Sequence, residues 1–364
     1  MTEPRYRSPP FAPDRTRAHV PARNAHCSTA FTDLDLDEQG RQAGFLHIPQ
    51  SPHDDAWGTV RIPMAVLANG EGPTILLEAG NHGDEYEGQI VLGELIRELP
   101  LAHLRGRLIV IPSINAPAAQ AGLRTSPLDG LNLNRTFPGD HAGSITQQIS
   151  AYVSDQLFSR ADAFLSLHSG GSSLSMMPTA LAQPTDDPVQ TQRNIDAVRA
   201  FGAPFNVLMG NLGDTRTSAA CAVAAGLTCV STEMAGEGTV TTSALDLCRA
   251  GTLRVLAHWG VLNEVYVDRQ LQRTNAPTPA TQPMFTVAGA SAYVIASDTG
   301  VYEALHEHGE AVREGQVAGR IHQIFDPSRP PVELRYAASG VVFAKRHPGK
   351  VSPGNVCCVL ARPL

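Results

Sequence analysis

The sequence predicts an α/β fold: a mixed sheet flanked by helices, with a small all-β unit at its C-terminal end. Three observations predict it. Short continuous apolar runs, bounded by turn residues, read as buried strands. Helical periodicity lies between them, and such alternation builds a mixed or parallel sheet. Beyond a stretch rich in Pro, Thr and Gln, the composition turns β-like and repeats itself.

The elements follow in chain order. Residues 1–30, rich in Pro, Arg and polar side chains, read as a loose arm. From about 44 to 262 the pattern alternates strand and helix, and 31–268 reads as the main domain. Thr74-Ile75-Leu76-Leu77-Glu78-Ala79 reads as a buried strand. Leu92, Leu95, Ile96 and Leu99 then fall on one helical face. Leu108–Pro112, Ala163–Leu167 and Leu227–Thr232 read as further buried strands. Ser144 is placed to cap a helix, with Gln147 completing a capping box. Ile145, Ile149, Tyr152 and Val153 would face inward.

Residues 269–282 read as a linker, and 283–364 as the β unit. Gly300-Val301-Tyr302 followed by Ala311–Val317 is echoed by Gly340-Val341-Val342 followed by Lys350–Val356. Two similar units about forty residues apart suggest a pseudo-symmetric β-barrel or sandwich. The pattern resembles the biotinyl/lipoyl carrier fold. Carriers of that fold present a lysine between their halves, and His322–Tyr336 contains none. The unit is therefore read as structural or substrate-gating.

Composition narrows the function. A net charge of -7 argues against a nucleic-acid partner, because phosphate binding needs a basic surface. No apolar run approaches the roughly 20 residues of a membrane span. The N-terminus lacks the apolar stretch of a secretory signal. The six cysteines include no Cys-x-x-Cys, and adjacent Cys357 and Cys358 would alternate faces in a strand. Reduced, mostly buried thiols in a cytoplasmic protein are expected.

The chemistry centres on Gly80-Asn81-His82-Gly83-Asp84-Glu85, a glycine-rich turn leaving a strand. It holds the single His-x-x-Glu of the chain. Alone, such a pair is more often an ordinary surface feature. His168, at the end of a later strand, would complete a set of two imidazoles and a carboxylate. A catalytic zinc takes three such ligands and keeps one position open. Sites of open α/β sheets form at the carboxyl ends of strands, where His82, Glu85 and His168 could converge.

Glu233 follows another buried run, and a carboxylate there needs a partner or a task. The task would be general base; the plain alternative is an ion pair with Lys or Arg at a domain edge. Arg135, within Asn132-Leu133-Asn134-Arg135, offers a planar fork for a carboxylate, with Asn134 adding an amide donor. Its plain alternative is a turn closed with Asp129 or Asp140.

His82-Gly83-Asp84-Glu85, Asn134-Arg135, His168 and Glu233 together resemble the succinylglutamate desuccinylase/aspartoacylase family, a branch of the zinc-carboxypeptidase-like hydrolases. The resemblance spans roughly residues 45–360. Gly122–Gly130 leading into Asn132–Arg135 looks most like the deacetylases of N-alpha-acetyl-L-2,4-diaminobutyrate in ectoine breakdown. The resemblance implies a zinc-carboxypeptidase-like sheet, one Zn2+ per chain held by His82, Glu85 and His168, and Glu233 as base. It implies that Asn134 and Arg135 hold the substrate carboxylate. Arg124 is the nearest candidate for an arginine that polarises the scissile carbonyl. Glu237 and Asp84 are candidates, by position, to face a substrate ammonium.

The implied reaction is hydrolysis of the amide of a small N-acyl amino acid. A zinc carboxypeptidase acting on peptides and a non-catalytic zinc- or ligand-binding protein are the competing readings. Families of this size often form dimers, so a homodimer stays open. One departure is visible: many relatives have Asp-Leu-His where this chain has Ser166-Leu167-His168. Ser166 and His168 would share a strand face, so the change bears on the surroundings of the zinc, not on its ligands.

Overall fold

The computed structural model describes residues 11–12, 19–276 and 282–364. It is a mixed α/β fold built on one large sheet. The central strands are Gly106–Ile111, Thr74–Ala79, Ala163–Leu167 and Thr228–Glu233, side by side and parallel. Their burial is almost complete, as expected when helices cover both faces. On one side the sheet continues through Thr59–Asn69 and Gly40–Pro49, an antiparallel pair. On the other it continues through Thr179–Ala182 and Phe205–Leu208.

Two apolar layers sandwich this sheet. Alternate residues of the central strands divide between them. Ile75, Leu77, Leu108 and Leu165 face one layer, while Leu76, Ile109 and Phe164 face the other. The first layer is completed by the helices Glu87–Glu98, Pro188–Phe201 and Thr242–His258. The second is completed by Ile145–Tyr152 and Ser218–Ala224.

The helix Glu87–Glu98 buries Val91, Leu92 and Leu95, the face that its spacing predicts. At the helix Ile145–Tyr152, the Ser144 N–H donates to Gln147 Oε1 at 3.0 Å, the reciprocal half of a capping box. The expected strands Thr74–Ala79 and Ala163–Leu167 have the predicted limits. The strand expected over 227–232 is shifted by one residue, to Thr228–Glu233, which places Glu233 inside the sheet.

At the N-terminal end, Ala22 N–H donates to Asp155 Oδ1 at 3.0 Å and Arg23 pairs with Gly139 and His141. The chain is thus tied to the main body from Ala22 onward, inside the stretch read as an arm; residues 1–10 and 13–18 lie outside the described residues. The stretch read as a linker begins within the helix Glu264–Leu271, and 277–281 lie outside the described residues.

The later strands form two facing layers. Gly340–Arg346 and Val356–Pro363 pair with each other, and Val356–Pro363 joins the large sheet through Met284–Thr286. Val332–Arg335, Val317–His322, Gly300–Ala304 and Lys350–Val351 form a four-stranded sheet. The repeat read in the sequence becomes an exchange of short strands. Gly300–Ala304 pairs with Lys350–Val351, and Gly340–Arg346 pairs with Ala311–Val312. Among the described residues, all six cysteines are free and all but Cys27 are buried. No helix among the described residues is long and apolar enough to cross a membrane.

Leu165 sits on a central strand with no exposed surface. Leu165→Ala should cost about 2–5 kcal/mol through lost burial and the cavity left behind, read as a lowered urea midpoint.

Candidate active site

The site grows from the carboxyl ends of three parallel strands. Thr74–Ala79 leaves the sheet through Gly80, whose φ of 63° suits a residue without a side chain. Gly83 follows in a turn pressed against the helix Ala116–Ala121; a Cβ there would lie 2.0 Å from the Ala118 carbonyl carbon. This close approach folds the turn back, and His82 and Glu85 both point inward, each 3% exposed.

His168 comes from the end of Ala163–Leu167 and meets them. His82 Nδ1 lies 2.7 Å from Glu85 Oε1, and His168 Nδ1 lies 2.8 Å from Glu85 Oε2. One donor atom from each residue falls within 4.8 Å of the others. Ser169 N–H donates to the same Glu85 oxygen at 3.1 Å. Thr232 clasps the His168 backbone, accepting from its N–H and donating to its carbonyl, both at 3.0 Å.

Electrostatics follow from burial and neighbours. Burial works to raise the Glu85 carboxyl, but the two imidazoles and their hydrogen bonds reverse this and hold it far below the usual range. Burial pushes the His82 imidazole down, which favours the neutral form a metal ligand needs. Burial also opposes charge on His168, but Glu85, then Glu233 and Glu78, outweigh it and raise it. Glu233 ends its strand beside this group. Burial, then the negative charge of Glu85, pushes its carboxyl up to about 8. Its Oε2 is buried and has no hydrogen-bond partner among the described residues.

These groups open onto one pocket of about 360 Å³. His82, Glu85, His168, Glu233, Arg124, Asn134 and Arg135 all line it. Arg124 reaches Glu85 Oε1 at 3.5 Å. Arg135 Nε lies 3.1 Å from Asp214, so its turn partner is neither Asp129 nor Asp140. Asn134 Oδ1 accepts from Ser218 N–H at 2.9 Å, which fixes the amide plane and turns its NH2 away from that bond. Tyr293, Phe343, Ala344 and Val359, all from the later β strands, form part of the wall.

Two acids stand elsewhere. Glu237 is outside the pocket lining, at the surface, 3.9 Å from His347 Nδ1. Asp84 is buried and accepts from Ser172 N–H and Oγ at 2.8 and 2.7 Å, as a satisfied loop acid does. Conversely, Asn132, which no sequence pattern marks as part of the site, reaches the cluster. Its Oδ1 lies 3.2 Å from His82 Nε2 and accepts the Asn134 N–H at 2.9 Å. The signal was present, since an Asn two residues before a turn N–H commonly caps it. Its reach to His82, fifty residues back, was not. Ser166, on the strand face it shares with His168, donates to Glu78 Oε1 at 2.8 Å.

A parallel-strand sheet whose carboxyl edge carries a buried His/Glu/His cluster, a free carboxylate and an arginine-lined pocket defines an α/β protein with an enzyme-like polar site. The sequence model of the succinylglutamate desuccinylase/aspartoacylase catalytic domain matches residues 71–259, and the chain belongs to that family. It is 39% identical, over 90% of its length and 93% of the relative's, to the N-alpha-acetyl-L-2,4-diaminobutyric acid deacetylase of Halomonas elongata. Among solved structures it resembles a succinylglutamate desuccinylase/aspartoacylase from Rhodobacter sphaeroides. There the TM-score is 0.84 and the identity 36%, covering 93% of this chain and 100% of that one. It also resembles the product-bound ectoine utilization protein EutE (DoeB) of Ruegeria pomeroyi. That match has TM-score 0.84 and 33% identity, covering 92% and 98% of the two chains.

The raised Glu233 carboxyl has a thermodynamic consequence. Between the ordinary value of 4.5 and about 8, the folded state keeps a proton that the unfolded state releases. Folding stability contributed by this group therefore falls as pH rises through that window. In chelator-treated protein, Glu233→Gln should gain stability relative to the wild type between pH 5 and pH 8, read from urea midpoints at both.

Proposed function

We propose that this protein hydrolyses the amide bond of a small N-acyl amino acid, with N-alpha-acetyl-L-2,4-diaminobutyrate the preferred substrate and L-2,4-diaminobutyrate and acetate the products. The observation that carries this reading is Glu233: a half-buried residue whose shielded Oε2 has no hydrogen-bond partner among the described residues, in one pocket with His82, Glu85, His168 and two arginines. The name of the Halomonas elongata relative supports the substrate.

The donor set fits one Zn2+. Two imidazole nitrogens and a carboxylate are the ligand types a catalytic zinc uses, and the three are buried and convergent. His82, Glu85 and His168 would hold it. Bound there, zinc supplies a Lewis acid and lowers the pKa of a bound water toward about 7. Asn132 would hold the second ring nitrogen of His82, as outer partners of metal ligands do, and Thr232 would fix the backbone that carries His168.

The chain's own groups account for the rest. Arg135 and the Asn134 amide bind the α-carboxylate of the substrate. Arg124 lies on the Glu85 side of the pocket, where it can donate to the acyl oxygen as negative charge develops. Glu233 takes the proton of the attacking water and delivers it to the departing amine, which leaves neutral. A carboxyl poised near neutral pH suits both halves of that transfer.

We further read residues 31–268 as the catalytic unit and 283–364 as a β unit of the biotinyl/lipoyl type. The exchange of short strands between its two repeats supports this. Its Tyr293, Phe343 and Val359 wall the pocket, which favours a small molecule over a peptide. Buried, free cysteines fit a reducing, cytoplasmic setting.

A steady-state assay on a panel of N-acyl amino acids and blocked dipeptides tests the reading. Turnover of acetylated diaminobutyrate, lost with chelator and restored by zinc, is expected; turnover confined to the dipeptides would overturn it. Glu233→Gln should abolish turnover while zinc content stays at one per chain. Arg135→Ala should raise KM by about 10-fold or more, since a charge-assisted hydrogen bond is worth roughly 1.5–3 kcal/mol.

A further inference from the structure

A further buried carboxylate is not part of the pocket lining. Glu78, on the strand Thr74–Ala79, has no exposed surface. Its Oε1 accepts three hydrogen bonds: from Asn81 Nδ2 at 3.2 Å, Ser166 Oγ at 2.8 Å and Ser218 Oγ at 2.7 Å. Its Oε2 is buried with no partner among the described residues.

The three donors come from three separate segments, and each segment carries a piece of the pocket. Asn81 directly precedes His82. Ser166 stands two residues before His168 on the same strand face, directly opposite Glu78 in register. Ser218 holds Asn134 through its backbone N–H, at 2.9 Å. A single oxygen thus ties the turn of His82, the strand of His168 and the helix start that aligns Asn134.

Stability alone is a poor reason for such a group. A buried carboxylate loses its hydration, and a well-packed apolar residue of similar size is often neutral or better there. What the carboxylate adds is direction: three short donors must converge on one point, so three segments keep fixed separations. We propose that Glu78 is a positioning residue of this site, setting the spacing of His82 and His168 through Asn81 and Ser166 and the placement of Asn134 through Ser218.

This inference rests on the zinc reading above. Its two arms predict different losses. Ser166→Ala should weaken zinc binding by about 10-fold while KM changes little, because it cuts the link to the His168 strand. Ser218→Ala should raise KM several-fold with zinc affinity near wild type, because it cuts the link to Asn134. Glu78→Leu should weaken zinc binding by about 10–100-fold, and Glu78→Gln, which keeps an acceptor oxygen, should recover most of that.

Zinc affinity is measured on the full chain by competition with a chromophoric chelator, beside urea midpoints and steady-state kinetics. A folded Glu78→Leu protein that binds zinc within two-fold of wild type would overturn the inference. Where that variant does not fold, the serine pair decides. Lowered midpoints in both, with zinc affinity and KM both unmoved, would mean a merely structural role and overturn it. Failure of the zinc reading looks different, since the wild-type protein would then take up no zinc and the role of Glu78 would fall with it.

Discussion

His82, Glu85 and His168 meet where water barely reaches, and the rest of the molecule is arranged around that fact. Burying a carboxylate between two imidazoles removes the hydration of all three, and the loss is tolerable only with close partners. Glu85 has them on both oxygens, with nitrogen atoms at 2.7 and 2.8 Å and a backbone N–H at 3.1 Å. Such contacts demand positional accuracy of a few tenths of an ångström. A sheet delivers it better than a loop, because ladder hydrogen bonds fix one strand end against the next.

The same requirement explains the turn after Thr74–Ala79. A side chain on Gly83 would collide with backbone of the helix Ala116–Ala121, so the turn cannot relax outward without losing that contact. The Gly83 N–H also donates to the Leu123 carbonyl at 2.9 Å. This bond links the His82 turn to the segment that leads into Arg124. Ligand-type residues and the arginine are therefore mechanically one unit, although about forty residues separate them.

Legibility in the sequence followed local physics. Continuous apolar runs announced the central strands, and periodicity announced the helix Glu87–Glu98, because both signals depend on burial of the element itself. The pair Gly40–Pro49 and Thr59–Asn69 went unannounced. Gly44 and Pro63 break the sequence pattern, and on the first strand the inward positions carry Gly40, Gln42 and Gly44 before Leu46 and Ile48, so burial alternates where residue type does not. The short strands Leu174–Met176 and Thr179–Ala182 are set by pairing with distant partners, which no local pattern encodes. Within the pocket, residue types at strand ends were readable because few buried positions tolerate His or Glu. Asn132, Thr232 and Glu78 were not readable, since each matters through a contact made across the fold. Glu237 shows the opposite limit: proximity in sequence to Glu233 carried the expectation, but φ of 65° at Glu237 marks a turn that sends the chain to the surface.

The contrast between Glu85 and Glu233 carries the chemistry. Both line one pocket, Glu85 buried and Glu233 half-buried, yet their environments push them in opposite directions. Glu85 faces imidazoles and stays ionised; Glu233 is held by burial and by the negative charge of Glu85, and keeps its proton toward neutral pH. In the proposed reaction, a pair of acids driven apart in this way divides the labour of ligand and proton carrier without any difference in residue type. A cation bound at Glu85 would lessen the repulsion that Glu233 feels from it, and so bring its carboxyl down from about 8 toward the range where it can accept a proton. Occupancy of the cluster and readiness of the base are then coupled by the same charges, and the sheet edge that gathers the first group positions the second.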